Sequence, residues 1–120
     1  MDIILYKIFL NINKMVTFEQ NGRTWYKIHK KASKIKTYED KEKFKQYMKK
    51  LYRAMNCEVC KSHTKKFIKS HPMRDYWTYI DDDGKDRGLF RWTWIFHNDV
   101  NKRLGKREYK WHETVRLYYK

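Results

Sequence analysis

The chain has 120 residues, 29 Lys+Arg against 14 Asp+Glu and a formal charge of +15, a length that allows one compact domain. A 41% hydrophobic share with 18% aromatics excludes a disordered basic tail, because such tails are poor in aromatic residues. Four Gly and one Pro are too few for many short strands and tight turns, which predicts an all-α chain, and two cysteines exclude a multi-bridge secreted scaffold.

The first stretch, Met1 to Ile12, is apolar but short, and Asp2 precedes its apolar run. It lacks both a Lys/Arg-rich start and a small-residue cleavage site, so no signal peptide is expected. The run is well below the roughly 20 residues that cross a bilayer, so no membrane span is expected either. Residues 1–17 read as an N-terminal extension, a strand-like arm or an extra helix turn, packed on a domain that covers residues 18–120.

Between Phe18 and Ile35 the larger apolar positions Trp25, Ile28, Ala32 and Ile35 step by three and four, which predicts an amphipathic helix with His29 on the face of Trp25. A second helix is expected from about Glu39 to Met55. Phe44, Tyr47, Met48, Leu51, Tyr52 and Met55 share its apolar face, and Thr37 or Asp40 stands ready to cap it. Asn56 interrupts. Cys57-Glu-Val-Cys60 then opens a third helix that runs to about Ser70 and stops at His71-Pro72. Asp81 to Gly88 is the clearest loop, with two of the four glycines. A fourth helix follows from Leu89 to Leu104 with Gly105 at its end, and Trp111 to Tyr118 forms a last short one.

The cysteine pair admits several chemistries on its residues alone. At a helix start the free N–H groups favour the thiolate of the first cysteine, which suits reactive dithiol chemistry. Zinc binding by Cys57, Cys60, His63 and His71 competes, although structural zinc sites more often use two pairs bridged by a longer loop. A thioredoxin fold would need strands between the helices, and a buried inert pair is the plainest alternative. The charge of +15 is equally open: it attracts nucleic acid, phosphorylated cofactors, anionic lipid or acidic proteins, and it also fits a merely solvated basic surface.

The stretch His97-Asn98-Asp99-Val100-Asn101-Lys102-Arg103-Leu104-Gly105-Lys106 resembles the His-Asn-x-Val-Asn-x-x-Leu-Gly-Lys signature of the Erv/ALR family of FAD-linked sulfhydryl oxidases, with seven signature positions matched in ten residues. Cys57-Glu-Val-Cys60 with its basic helix agrees, as do Trp92 five residues before His97 and Thr24-Trp25 with His29 four residues on. Together these features cover roughly Gly22 to Trp111 in the family's order. The family's Trp-Gly-x-x-x-Trp opening is not kept, since Gln20 and Asn21 stand at the aligned positions with Gly22 one place late. The loop from Asp81 to Gly88 is longer than in a minimal member, and no second cysteine pair stands outside the core to serve as a shuttle disulfide.

The resemblance implies a four-helix bundle with a short fifth helix and FAD at the bundle mouth, its ring against the Cys57–Cys60 disulfide. It implies catalytic roles for Cys57 and Cys60 and cofactor contacts from Thr24, Trp25, His29, Trp92, His97, Asn98, Val100, Asn101, Leu104, Lys106 and Trp111. The residues supply what a flavin needs: flat aromatic surfaces, orienting amides and cations for the diphosphate. His97 and Asn101 lie four apart on one side of their helix, and two asparagines within one turn invite a polar ligand. Taken singly, Trp25 and Trp92 at helical spacing read more often as core than as cofactor contacts, and a lone His29 as a packed or solvated histidine.

In the implied cycle a substrate thiolate attacks Cys57, the substrate leaves oxidised, and Cys60 passes the electron pair to FAD and then O2, giving H2O2. The implied partners are thiol-containing proteins, a thioredoxin-like relay protein in place of the shuttle, and a second copy in a homodimer. Nucleic acid and metal are not expected. The implied setting is cytoplasmic, in the host or virion of a large DNA virus. The alternative drawn from composition is a small basic helical nucleic-acid-binding module, whose binding would be strongly salt-dependent and indifferent to the cysteines.

Overall fold

The computed structural model describes residues 3, 4 and 17–120, and most of the expected N-terminal extension lies outside the described residues. Five α-helices follow one another among the described residues: α1 (Gly22–Ser33), α2 (Tyr38–Arg53), α3 (Glu58–Ser70), α4 (Gly88–Arg103) and α5 (Trp111–Tyr118). The first four make the bundle and α5 is the short fifth helix, as the periodicity predicts. Between Ile80 and Asp86 a single antiparallel bridge closes the loop before α4.

Helix ends follow their local chemistry. Thr37 and Asp40 act together at the start of α2 as a capping box: the Asp40 N–H donates to Thr37 Oγ1 at 3.1 Å, and the Thr37 N–H donates to Asp40 Oδ2 at 3.1 Å. Helix α3 stops at His71, before Pro72. Helix α4 ends in a Schellman turn, in which Gly105 adopts φ +70° and the Lys106 N–H donates to the Asn101 carbonyl at 2.8 Å. That turn fixes the direction in which the chain leaves α4.

The first predicted helix is divided. Phe18–Gln20 form a separate 3-10 turn, and α1 starts only after Asn21, whose extended backbone and side chain cap it by accepting from the Thr24 N–H at 3.1 Å. Asparagine competes with a helix for its own backbone donors, so it ends one element and opens the next. The break lets the Glu19 carbonyl accept from the indole N–H of Trp25 at 3.0 Å.

The core runs along α4, where Leu89, Phe90, Trp92, Phe96 and Val100 are buried, and α1 packs against it with Trp25, Ile28 and Ala32. Phe44 and Met48 of α2 and Phe67 of α3 complete the core. Phe67 and Phe96 stack at 4.5 Å, and each such ring contributes roughly 2–3 kcal/mol through burial. Helix α4 starts at a crowded point, for a Cβ on Gly88 would run into the backbone carbonyl of Tyr76 and lie 3.1 Å from the Tyr79 Cβ. Gly88→Ala is therefore expected to cost about 2–4 kcal/mol, read as a lowered denaturation midpoint with an unchanged m-value.

Candidate active site

Cys57 and Cys60 form a disulfide with their Cα atoms 5.1 Å apart. Cys57 is the N-cap of α3, and its Sγ accepts from the Cys60 N–H at 3.2 Å. The two sulfurs differ in access, because Cys60 is 1% exposed whereas Cys57 is half-buried and followed by exposed Glu58 and Val59. A nucleophile from solvent therefore meets Cys57 first. His63 turns to Glu19, and His71 stacks on Phe67 at 4.5 Å, so these two residues are engaged away from the cysteines. Among the described residues no group of three or more His, Cys, Asp or Glu converges as a metal site would require.

A cleft of about 240 Å³ opens between α1, the end of α4 and α5. Its wall is aromatic: Trp25 and His97 stack with rings 4.2 Å apart and nearly parallel, and Tyr26, Tyr109 and Tyr118 close the sides. Trp25 and His29 reach it from one face of α1, being four residues apart, and His97 and Asn101 reach it from one face of α4 for the same reason. Lys106 enters from the Schellman turn.

Two features of the cleft are chemically unusual. Burial, helped by neighbouring His97, pushes His29 down from the ordinary 6.5 to about 3, and burial with the nearby Lys106 charge pushes His97 down to about 4. Both imidazoles are therefore neutral at pH 7. Asn101 is 4% exposed, and its Nδ2 is buried without a hydrogen-bond partner among the described residues. A buried donor without a partner costs about 1–3 kcal/mol, which a ligand acceptor would recover.

The other signature residues shape the cleft from behind. Asn98 lies a third of a turn round from His97, where its amide group clamps Tyr109 by donating to the carbonyl and accepting from the N–H, both at 2.8 Å. Val100 is fully buried under the same helix, and Trp92, also fully buried, donates its indole N–H to the His71 carbonyl at 2.8 Å. Thr24 belongs to the α1 cap, Leu104 to the α4 C-cap, and Trp111 packs on Trp94 and Phe90. None of these six lines the cleft.

Periodicity leaves out part of the lining. Glu19, Tyr26, Tyr109, Thr114 and Tyr118 line the cleft without standing out in the sequence as site residues, and Gln20, which departs from the family's opening motif, lines it too. Glu19 ties the cleft to the disulfide helix. Its carboxylate is 7% exposed, with His63 Nδ1 3.0 Å from Oε1 and Arg103 Nη1 2.6 Å from Oε2, so that α3 and α4 are both anchored to the turn before α1. His63 follows Cys60 by three residues, one turn along α3. No local signal marks Glu19, since a buried carboxylate between two helices is a product of the tertiary fold.

Comparison with known proteins places these features in a lineage. The model of the Erv1 / Alr family matches residues 22–120. Two curated relatives, both named FAD-linked sulfhydryl oxidase, come from African swine fever virus (isolates Pig/Kenya and Tick/Malawi). Each is 29% identical over 80 residues, which are 65% of this chain and 60% of the relative, so the chain spans less than two thirds of their length. No solved structure matches the chain. Since the matched segment runs from the start of α1 to the end of the chain and takes in the disulfide and the whole α4 signature, the chain belongs to the Erv1/Alr family.

Proposed function

We propose that the protein is an FAD-dependent thiol oxidase that forms disulfide bonds in thiol-containing proteins. One juxtaposition carries this reading: a helix-capping disulfide with one accessible sulfur shares a small domain with an aromatic cleft that holds a buried, unpartnered amide donor. The relatives' printed names support it.

The residues of the cleft fit a flavin dinucleotide. The Trp25–His97 stack offers an aromatic wall to a ring system, with His97 the more exposed of the two rings, Asn101 Nδ2 offers a donor to a ring acceptor, and Lys106 brings a positive charge for the diphosphate. Trp92, Val100 and Asn98 keep α4 in register beneath these groups, while Thr24, Leu104 and Trp111 secure the helix ends around them. A bound flavin would supply a two-electron acceptor for the dithiol, with O2 as the final oxidant and H2O2 as its product.

The chain's own part is thiol exchange. A substrate thiolate attacks Cys57 Sγ, the Cys57–Cys60 bond breaks, and Cys60 leaves as a thiolate. The substrate's second thiolate then attacks its own sulfur in the mixed disulfide, which frees the oxidised substrate and leaves Cys57 as a thiolate at the N-terminus of α3. Burial of Cys60 keeps solvent thiols away from the inner sulfur, so exchange starts at one end of the pair.

The same reading includes residues 18–120 as the catalytic domain with 1–17 as an extension, a homodimer, a thioredoxin-like relay protein and a cytoplasmic viral setting, the last supported by the viral origin of both relatives. Among the described residues no helix is long and apolar enough to cross a membrane. The test is the purified full chain: it should be yellow, with flavin absorbance and FAD released on denaturation and identified by chromatography. A folded, colourless protein that takes up no added FAD would overturn the reading.

A further inference from the structure

Behind the cleft wall runs a buried chain of hydrogen bonds that the thiol chemistry does not use. Thr93, 0% exposed on α4, places its Oγ1 2.6 Å from the Phe90 carbonyl and 2.9 Å from His29 Nδ1. His29 Nε2 in turn lies 2.9 Å from His97 Nδ1. The roles along this chain follow by elimination. A carbonyl only accepts, so the single hydroxyl proton of Thr93 goes to Phe90, and toward His29 the hydroxyl can only accept. His29 Nδ1 therefore carries the ring proton. In a neutral ring its Nε2 is then a bare acceptor, which obliges His97 Nδ1 to carry a proton and leaves His97 Nε2 bare as well.

The neutrality that this step needs has a structural basis. His29 is 4% exposed, and among the described residues the titratable groups around the two rings, besides Glu19, are Tyr118 of α5, Tyr26 of α1, and Tyr109 and Lys106 of the segment between α4 and α5, none of which stabilises an imidazolium. Glu19, the carboxylate that lines the cleft, has both oxygens engaged by His63 and Arg103. His97 Nε2 makes no hydrogen bond among the described residues, and the ring it belongs to lines the cleft.

We propose that Thr93 is a positioning residue: it sets the tautomers of His29 and His97 and so makes His97 Nε2 a hydrogen-bond acceptor, selecting ligands that offer an N–H or O–H at that point. One turn on, Asn101 Nδ2 presents a donor from the same face of α4. Acceptor and donor together fit the edge of a nitrogen heterocycle that carries an N–H beside a ring or carbonyl acceptor. The consequence for binding rests on the flavin reading above, whereas the tautomer assignment stands on the hydrogen bonds alone.

Thr93→Val keeps the shape of the side chain and removes the hydroxyl. His29 Nδ1 then loses its acceptor, and the favoured state has the proton on His29 Nε2, donated to a bare His97 Nδ1, with His97 Nε2–H now facing the cleft. Long-range ¹H–¹⁵N correlation spectra of the full chain at neutral pH report which nitrogen of each ring is protonated. Nδ1–H is expected on both histidines in the wild type and in Thr93→Ser, and Nε2–H on both in Thr93→Val. FAD affinity, titrated by fluorescence, should weaken about tenfold or more in Thr93→Val and be restored in Thr93→Ser.

Nε2–H on either ring of the wild type, or a wild-type pattern in Thr93→Val, overturns the proposal whether or not FAD binds. Equal FAD affinity in the wild type and in a Thr93→Val protein with switched tautomers overturns the selection of the ligand edge. Tautomers that follow Thr93 in a protein that binds no FAD support the tautomer assignment and count against the flavin reading.

Discussion

Cys60→Ser and Cys57→Ser should each reduce oxidation of dithiothreitol to the uncatalysed background, a loss of at least about 10³-fold, because neither single thiol can form the internal disulfide that accepts the substrate's electrons. The two variants should differ in a second measurement. In Cys60→Ser the remaining thiol is the half-buried Cys57, at the N-terminus of α3, where the free N–H groups favour its thiolate. In Cys57→Ser the remaining thiol is 1% exposed. With glutathione disulfide, Cys60→Ser should accumulate a mixed disulfide detectable by intact mass, and Cys57→Ser should react far more slowly. Equal reactivity would mean that the order of the two sulfurs is wrong, and full activity in either variant would remove the pair from the reaction. A DNA-binding module of the same composition would show no dependence on either residue.

The helices were legible because each has an apolar face that only a period of 3.6 keeps together. Trp111–Tyr118 coincides with its expected bounds, and α2 and α4 start one residue before theirs, where the capping box and the Gly88 contact place them. The break at Asn21 was not legible, since the apolar spacing runs on past it and only the cap geometry divides the helix. The same contrast holds in the cleft. Trp25 with His29, and His97 with Asn101, share a face by helical spacing alone. Asn98 matches the signature as well as they do, yet its position a third of a turn away sends it to Tyr109. Glu19, Tyr109 and Tyr118 come from three separate segments, so no window of sequence contains the geometry that gathers them.

The buried imidazoles that form this wall make stability sensitive to mild acid. His29 and His97 titrate at about 3 and about 4 in the fold and at the ordinary 6.5 when unfolded, so between these values the unfolded chain binds more protons. Stability is thus complete above about pH 6.5 and falls as the pH drops toward 4, by about 1.4 kcal/mol per histidine per pH unit. The loss should be on the order of 3 to 5 kcal/mol by pH 4.5. The perturbed carboxylates act elsewhere on the scale. Hydrogen bonds and cationic partners hold Asp40, Asp81 and Asp86 below their ordinary 3.8, so their contribution is intact above that value and is lost only as the pH falls through and below it. The interval from pH 6.5 to 4.5 therefore isolates the histidines. Denaturant unfolding across it should show a steep decline in the wild type and a shallower one in His97→Gln, which removes one of the two titrating rings. A flat profile in the wild type would show that both rings bind protons in the folded protein as readily as in the unfolded chain, and a slope of half the expected size would show it of one ring.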